Sequence, residues 1–271
     1  MKVAVIIPAA GSSRRYAEAS MEGGVGRSKL DEDLGGRPVL QRTVEVFTKR
    51  PEVAMIVVAG PADPAAMAEF RTRHGDKLGL LGVRVCVGGK DHRYETVRNA
   101  LAEIPAEADV THVAVHDAAR PCVSEALLDR LFEAAAKFPA VIPALDVADT
   151  LKRVDPEPIQ AADADPLAAI LGDAGRTTSK VRRVEATVDR TNLVAVQTPQ
   201  VFEIGLLRRA YAQSDLSSTD DAQLVERLGE RVVVVQGEAT NIKITRPADL
   251  GLARQILGVR GPQERPVHKR F

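Results

Sequence analysis

Pro8-Ala9-Ala10-Gly11-Ser12-Ser13-Arg14-Arg15 follows directly on an apolar run, Val3-Ala4-Val5-Ile6-Ile7. Small residues let a backbone approach a planar or anionic ligand closely and leave N–H groups exposed as donors. Paired arginines add forked cationic donors that suit phosphate oxygens. The spacing is not G-x-G-x-x-G and no G-K-[ST] follows, so neither the dinucleotide fingerprint nor the P-loop applies. The competing reading is ordinary surface charge. A second cluster, His116-Asp117-Ala118-Ala119-Arg120-Pro121, sets one carboxylate in a segment otherwise small and apolar. Asp117 there suits Mg²⁺, a hard cation commonly held by one or two carboxylates plus substrate phosphates. As a turn or helix cap it would need no ligand. His116 reads as a packed or hydrogen-bonded strand-end residue rather than a catalyst. His112 and His116, four apart on a strand, would stand roughly 13 Å from one another, too far to share an ion.

Other polar points are weaker. Gly88-Gly89, followed by Arg93 and Thr96, permits close backbone approach or simply makes a turn. Asp149-Thr150, Arg190, Thr198-Pro199-Gln200, Thr219-Asp220 and Asn241-Ile242-Lys243 read singly as solvated surface or caps.

Something must carry these residues to one place. Valine- and isoleucine-rich runs at 3–7, 53–59, 83–87, 110–115, 140–145 and 232–236 predict strands. Amphipathic stretches at 38–49, 64–74, 94–104, 124–137, 203–213, 219–228 and 247–257 predict helices between them. Pro38, Pro64 and Pro247 suit first-turn positions, and Ser124 and Thr219 suit N-caps. Continuous apolar strands alternating with helices imply an α/β fold, a Rossmann-like three-layer sandwich with a mainly parallel sheet covered on both faces. In such sheets ligands bind beyond the carboxyl ends of the strands, which is where the clusters above fall. Two β-like stretches, 150–154 and 181–188, flank an Ala/Asp/Pro/Gly-rich segment, 155–181, that reads as a surface excursion or as an arm leaving the core and returning. The expected organisation is one domain over 1–257 with a protruding β-arm at about 150–190, then a weakly ordered polar tail, 258–271.

Composition narrows the function. The 271 residues carry 37 basic and 37 acidic side chains, a formal charge of zero that argues against broad nucleic-acid or membrane-surface binding. The N-terminal apolar segment is short, broken by Pro8 and followed by arginines, unlike a signal peptide, and no run approaches the roughly 18 apolar residues of a membrane span. Two isolated cysteines, Cys86 and Cys122, form no metal spacing and suit a reducing compartment, so a cytoplasmic protein with buried thiols is expected.

Taken in order, A-A-G-x-x-x-R, Lys29 before L-G-G-R-P-V-L (34–40), G-G-x-x-x-R, H-D-A-A-R-P, D-T-x-K, D-R, Q-T-P-Q, T-D-D and N-I-K-I-T form a pattern that resembles the 2-C-methyl-D-erythritol 4-phosphate cytidylyltransferases, from about residue 3 to 257. The resemblance implies a fold of the nucleotide-diphospho-sugar transferase type. It also implies transfer of CMP from CTP to the sugar-alcohol phosphate, with Mg²⁺, in the non-mevalonate route to isoprenoids. Ribitol-5-phosphate cytidylyltransferases share much of the pattern, and a catalytically silent nucleotide binder on the same fold is the third reading. Carried over by position, Arg15, Lys29 and Lys243 are catalytic. Ala9, Ala10, Gly11, Gly89, Arg93 and Thr96 surround the nucleotide, Asp117 sits at the metal, and Arg120, Thr150, Arg190 and Thr198 hold the acceptor with Lys243. The resemblance further implies a homodimer, with Arg190 reaching in on the neighbouring subunit's arm. Differences from the family are a longer loop at 16–28, Ser28-Lys29-Leu30 in place of Pro-Lys-Gln, a glycine turn one residue longer, so that Lys90 or Asp91 could be the nucleotide contact, and an enlarged arm tip at 155–179.

Overall fold

The computed structural model describes residues 1–11, 16, 28–158 and 181–261. Its strands are β1 (Val3–Pro8), β2 (Val53–Gly60), β3 (Arg84–Val87), β4 (His112–Val115), β5 (Ala140–Asp146), β6 (Leu151–Val154), β7 (Val184–Val188), β8 (Val194–Val196), β9 (Gln200–Glu203) and β10 (Val233–Gln236). The helices are α1 (Val39–Thr48), α2 (Pro64–Phe70), α3 (Asp76–Leu80), α4 (Arg93–Ala102), α5 (Glu125–Ala135), α6 (Ile204–Tyr211), α7 (Ala222–Arg227) and α8 (Pro247–Ile256). The main sheet runs β10-β5-β9-β4-β1-β2-β3. Its pairs are parallel except where β9 lies antiparallel between β4 and β5.

Why β1 is apolar without alternation is explained by its place. Val3, Val5 and Ile7 pack in one cluster with Leu40, Val44 and Phe47 of α1 and Leu127, Leu128 and Leu131 of α5. Ala4 and Ile6 point the other way, into Val97 and Leu101 of α4 and Leu206 and Leu207 of α6. All five strand residues are 0% exposed. Successive side chains of a strand point to opposite faces, so a strand covered on both must be apolar at every position. Each large aliphatic side chain buried this way contributes roughly 1.5–3 kcal/mol.

Helix signals mostly fall where expected. Ser124 Oγ accepts the Leu127 N–H at α5, and Pro64 and Pro247 open α2 and α8. Three details differ. Pro38 is the residue before α1, not its first helical residue. Thr219 does not cap α7, which starts at Ala222; its backbone N–H donates to Gln223 Oε1, while Asp220 Oδ1 accepts the Gln223 N–H. The segment expected as one helix over 64–74 is α2, then a π turn (Arg71–Gly75), then α3. Strand β9 is an addition to the expected set: only Val201 and Phe202 mark it, one facing each apolar cluster.

Residues Met1–Leu145 with Val196–Phe271 form one compact unit and Asp146–Ala195 a second. Within the second unit β6 pairs antiparallel with β7, Leu151 opposite Val188 and Lys152 opposite Thr187. Arg190 there donates to the carbonyls of Val147 and Ala148. Most of the excursion expected at 155–181 and of the tail at 258–271 lies outside the described residues. Cys86 and Cys122 are buried free thiols, and burial pushes both up to about 11. Among the described residues no helix is long and apolar enough to cross a membrane.

Candidate active site

A cleft of about 630 Å³ opens beyond the carboxyl ends of β1, β3 and β4. Ala9, Ala10 and Gly11 form one wall, and Gly89, Lys90, Asp91, Arg93 and Thr96 another. Asp117, Lys29 and Lys243 complete it. Both Lys90 and Asp91, the alternatives at the lengthened turn, reach the cleft. Arg15 lies outside the described residues.

The glycines serve different ends. A Cβ on Gly88 would come within 2.8 Å of the Ala10 Cβ, and one on Gly89 within 2.8 Å of the Thr96 nitrogen. These two glycines let the turn after β3 lie against the first loop and the start of α4. Thr96 secures that turn, its hydroxyl accepting the Gly89 N–H at 3.0 Å. Glu95 secures the helix start, accepting the N–H groups of Asp91 and His92 at 3.0 and 3.2 Å. At Gly11, by contrast, a Cβ would meet nothing within 4 Å among the described residues, so the missing side chain leaves room on the cleft side.

Asp117 is the electrostatic centre. Its Oδ2 lies 2.9 Å from Lys243 Nζ and 3.3 Å from Arg120 Nε, and its Oδ1 lies 3.8 Å from Arg93 Nε. Burial would raise this carboxyl, but Lys243, Arg93 and Arg120 outweigh burial and hold it far below the usual carboxylate range. Arg93 is fixed from behind: its Nη1 meets Asp221 Oδ2 at 2.8 Å, and Tyr211 donates its hydroxyl to Asp221 Oδ1 at 2.5 Å. Asp221 is only 1% exposed, so a full carboxylate is buried to orient one guanidinium. Lys29, also at the cleft, donates from Nζ to the Ile244 carbonyl at 3.0 Å.

Beneath the cleft lies a hydrogen-bonded floor. Because β9 runs antiparallel beside β4, with Gln200 opposite Val115, the residues before β9 arrive at the carboxyl edge of the sheet. Thr198 is thereby set under Asp117, its Oγ1 accepting the Asp117 N–H at 3.0 Å. The hydroxyl hydrogen is then directed to His116 Nδ1 at 3.2 Å, and His116 Nε2–H donates to the Arg120 carbonyl at 3.0 Å. Both ring nitrogens are thus used by a neutral imidazole. Burial pushes this histidine down to about 4, and it packs edge-on against Phe47 at 5.0 Å. The expectation of a structural rather than catalytic His116 agrees with this geometry.

Residues read as scattered polar points prove to be the floor's framing. Asn241 is fully buried; its amide donates to the Thr198 carbonyl at 2.9 Å, and its own carbonyl accepts Arg120 Nη1 at 2.7 Å. Gln197 Nε2 donates to the Glu238 carbonyl at 2.8 Å. Thr43 of α1 reaches the Ala118 carbonyl at 2.9 Å, a support that no motif marks. Arg120 and Thr198 therefore sit in the floor rather than on the cleft wall. Thr150 and Arg190 belong to the second unit.

Known proteins share this sequence pattern and fold. The sequence model of the 2-C-methyl-D-erythritol 4-phosphate cytidylyltransferase family matches residues 3–168 and 159–259. This chain belongs to that family. A 2-C-methyl-D-erythritol 4-phosphate cytidylyltransferase of Frankia casuarinae is 40% identical over 260 residues, covering 94% of this chain and 81% of the relative. A bifunctional enzyme IspD/IspF of Solidesulfovibrio magneticus is 40% identical over 258 residues, and the match spans 92% of this chain but 56% of that longer protein. Among solved structures, the 2-C-methyl-D-erythritol 4-phosphate cytidylyltransferase of Thermus thermophilus superposes with a TM-score of 0.66 at 33% identity, covering 96% of this chain and 100% of the other. The α/β fold is that of these cytidylyltransferases, a nucleotidyltransferase family.

Proposed function

We propose that the protein transfers CMP from CTP to 2-C-methyl-D-erythritol 4-phosphate, forming 4-diphosphocytidyl-2-C-methyl-D-erythritol and releasing pyrophosphate. A phosphate oxygen of the acceptor attacks the α-phosphorus of CTP; the new P–O bond forms as the bond to pyrophosphate breaks. Two anions must meet, so the barrier is repulsion plus alignment, and fixed cations answer both. The observation that carries the reading is the convergence of Arg93, Arg120 and Lys243 on Asp117, with Lys29 lining the same cleft. A buried carboxylate holding three cations in place gives them fixed positions before any substrate arrives. No general base is needed, because the attacking phosphate is already ionised. His116, buried with both nitrogens engaged, has no part in proton transfer.

In this reading Ala9, Ala10, Gly11, Gly89, Arg93 and Thr96 surround the nucleotide, and Arg15 and Lys29 hold its triphosphate. Thr150, Arg190 and Lys243 take the acceptor phosphate, with Arg120 and Thr198 bracing Asp117 from the floor beneath. Mg²⁺ fits as a companion of the nucleotide rather than a resident of an all-protein cage. Among the described residues no group of three or more His, Cys, Asp or Glu side chains gathers, whereas Asp117, its carboxyl held below the usual range by Lys243, Arg93 and Arg120, presents one carboxylate to the cleft. Bound there, the ion would neutralise triphosphate charge. A homodimer formed through the β6–β7 arm belongs to the same proposal, supported by apolar side chains left uncovered there, Val181 at 44% and Val184 at 54% exposed. A cytoplasmic site of action is part of it too, supported by the two free buried thiols.

The test is pyrophosphate release from the purified protein with CTP and Mg²⁺, comparing methylerythritol phosphate with ribitol 5-phosphate. Release with the first acceptor alone is expected. Release with ribitol 5-phosphate alone would keep the mechanism and replace the substrate, and CTP binding without release would leave only a nucleotide-binding fold.

A further inference from the structure

Lys29 follows the lengthened loop, yet the turn that carries it is tied down on several sides. The Asp31 N–H donates to the Ser28 carbonyl at 2.9 Å, and the Leu30 N–H to Ser28 Oγ at 3.3 Å. Leu30 is buried, its carbonyl accepting the Leu40 N–H at 3.2 Å, and the Glu32 carbonyl accepts the Val39 N–H at 3.0 Å. Those ties run to the first turn of α1. The remaining tie runs elsewhere: Asp31 Oδ2 takes Arg73 Nη1 at 2.6 Å, and Asp31 Oδ1 meets His74 Nε2 at 2.7 Å.

Both partners stand in the π turn between α2 and α3. An extra residue in a helical turn swings the residues beyond it by about 100°, and such turns, rare overall, frequently stand at functional sites. Here it gives two consecutive side chains to one carboxylate. His74 is 4% exposed and packs on Phe70 at 4.9 Å, so its half of the grip comes from the interior, while Arg73 closes on Asp31 from the half-exposed side. Burial alone would raise the Asp31 carboxyl, but hydrogen bonds from His74 and Arg73 outweigh it and keep it below its ordinary value.

We propose that Asp31, gripped by Arg73 and His74 of the π turn, is a positioning residue that holds the Lys29 turn at the cleft. This rests on the reading of Lys29 as the catalytic group that meets the charge developing on the triphosphate. A lysine is a flexible point charge, and a misplacement of about 1 Å can cost a hundredfold in rate, so the backbone beneath it must be fixed. An ordinary peripheral ion pair would have no such consequence, since exposed pairs add little even to stability.

The test uses the full-length protein with Asp31→Asn, and Arg73→Gln as a milder second variant at a half-exposed side chain. Asp31→Asn is expected to lower kcat about tenfold with KM for both substrates within about twofold, and Arg73→Gln severalfold in the same sense. In a Lys29→Ala background, adding Asp31→Asn should cost nothing more, because its effect passes through Lys29. An unchanged kcat, or the full loss repeated in that background, would overturn the proposal. Amide hydrogen exchange on the ligand-free protein judges the grip without any turnover. Exchange at residues 28–32 should quicken about tenfold in Asp31→Asn while residues 3–7 stay protected. Unchanged exchange at 28–32 would sink the grip even in an active enzyme. A wild type that transfers no CMP would instead sink the substrate reading.

Discussion

β1 and β7 are both short, valine-containing strands, and different forces hold them. In β1 every residue from Val3 to Ile7 is fully buried, sandwiched between two apolar clusters. In β7 Val184 is 54% exposed, and the strand's described pairing is its ladder with β6. A one-residue slip in β1 would exchange the two clusters' side chains, so burial fixes its register. The β6–β7 ladder has no such arbiter within its own two strands, and a two-stranded hairpin is marginal in water. The difference teaches where each part of the reaction can be prepared. In the proposed function the charges to be fixed beforehand, Arg93, Arg120 and Lys243, gather on Asp117, just past the buried strand β4. The residues assigned to the acceptor in the second unit, Thr150 and Arg190, ride on the less constrained pair.

The largest expected effect breaks β1. Ile6→Ala removes a side chain with no exposed surface and should cost about 3–4 kcal/mol, as buried Ile→Ala changes commonly do. Urea unfolding midpoints measure it. A loss under about 1 kcal/mol would mean that the interior collapses around the gap and that β1 is no more tightly specified than β7.

The same contrast extends to ionisable groups, and pH sharpens it. His116 lies just past β4 in the interior; unfolded, it titrates near 6.5, and folded near 4. Between those values the unfolded chain binds a proton that the folded chain refuses, so stability falls as pH drops from about 6.5 to about 4 and is complete above 6.5. The full swing is about 3 kcal/mol for this group. Denaturation of the ligand-free protein across that range should show the slope, and His116→Gln should flatten it. A slope that survives the substitution would assign it to other groups.

How far these features can be read in advance depends on what makes them. β1, β2 and β5 are legible because burial on both faces demands uninterrupted apolar runs. β9 is not: four residues, Gln200 to Glu203, with two apolar, leave no pattern to separate them from the start of α6. The π turn hides for a related reason. Met67, Phe70, His74 and Leu78 are buried at helical spacing, and an extra residue in one turn does not disturb that spacing enough to be seen. In the site, Ala9 to Gly11, Gly89, Arg93, Asp117 and Lys243 announce themselves as small or charged residues at strand ends and by their motifs. Asp221, Tyr211 and Asn241 do not announce their roles, because a buried polar group is recognised by its partners, and those lie 10 to 128 residues away. The neighbouring Thr219 and Asp220 draw the reading instead, as visible capping types.

The smallest expected effect tests the other side of the comparison. Val184→Ser replaces an exposed apolar side chain on β7 and should shift the unfolding free energy at low protein concentration by no more than about 0.5 kcal/mol, as surface changes usually do. A larger consequence belongs to association. If a second copy covers the arm, the same substitution weakens the dimer severalfold, because an apolar contact is exchanged for a hydroxyl that must be desolvated. Sedimentation across a dilution series separates the two effects. A loss above about 1 kcal/mol in the dissociated chain would mean that β7 is already packed as β1 is, and the contrast between a self-sufficient sheet and an arm in need of cover would go with it.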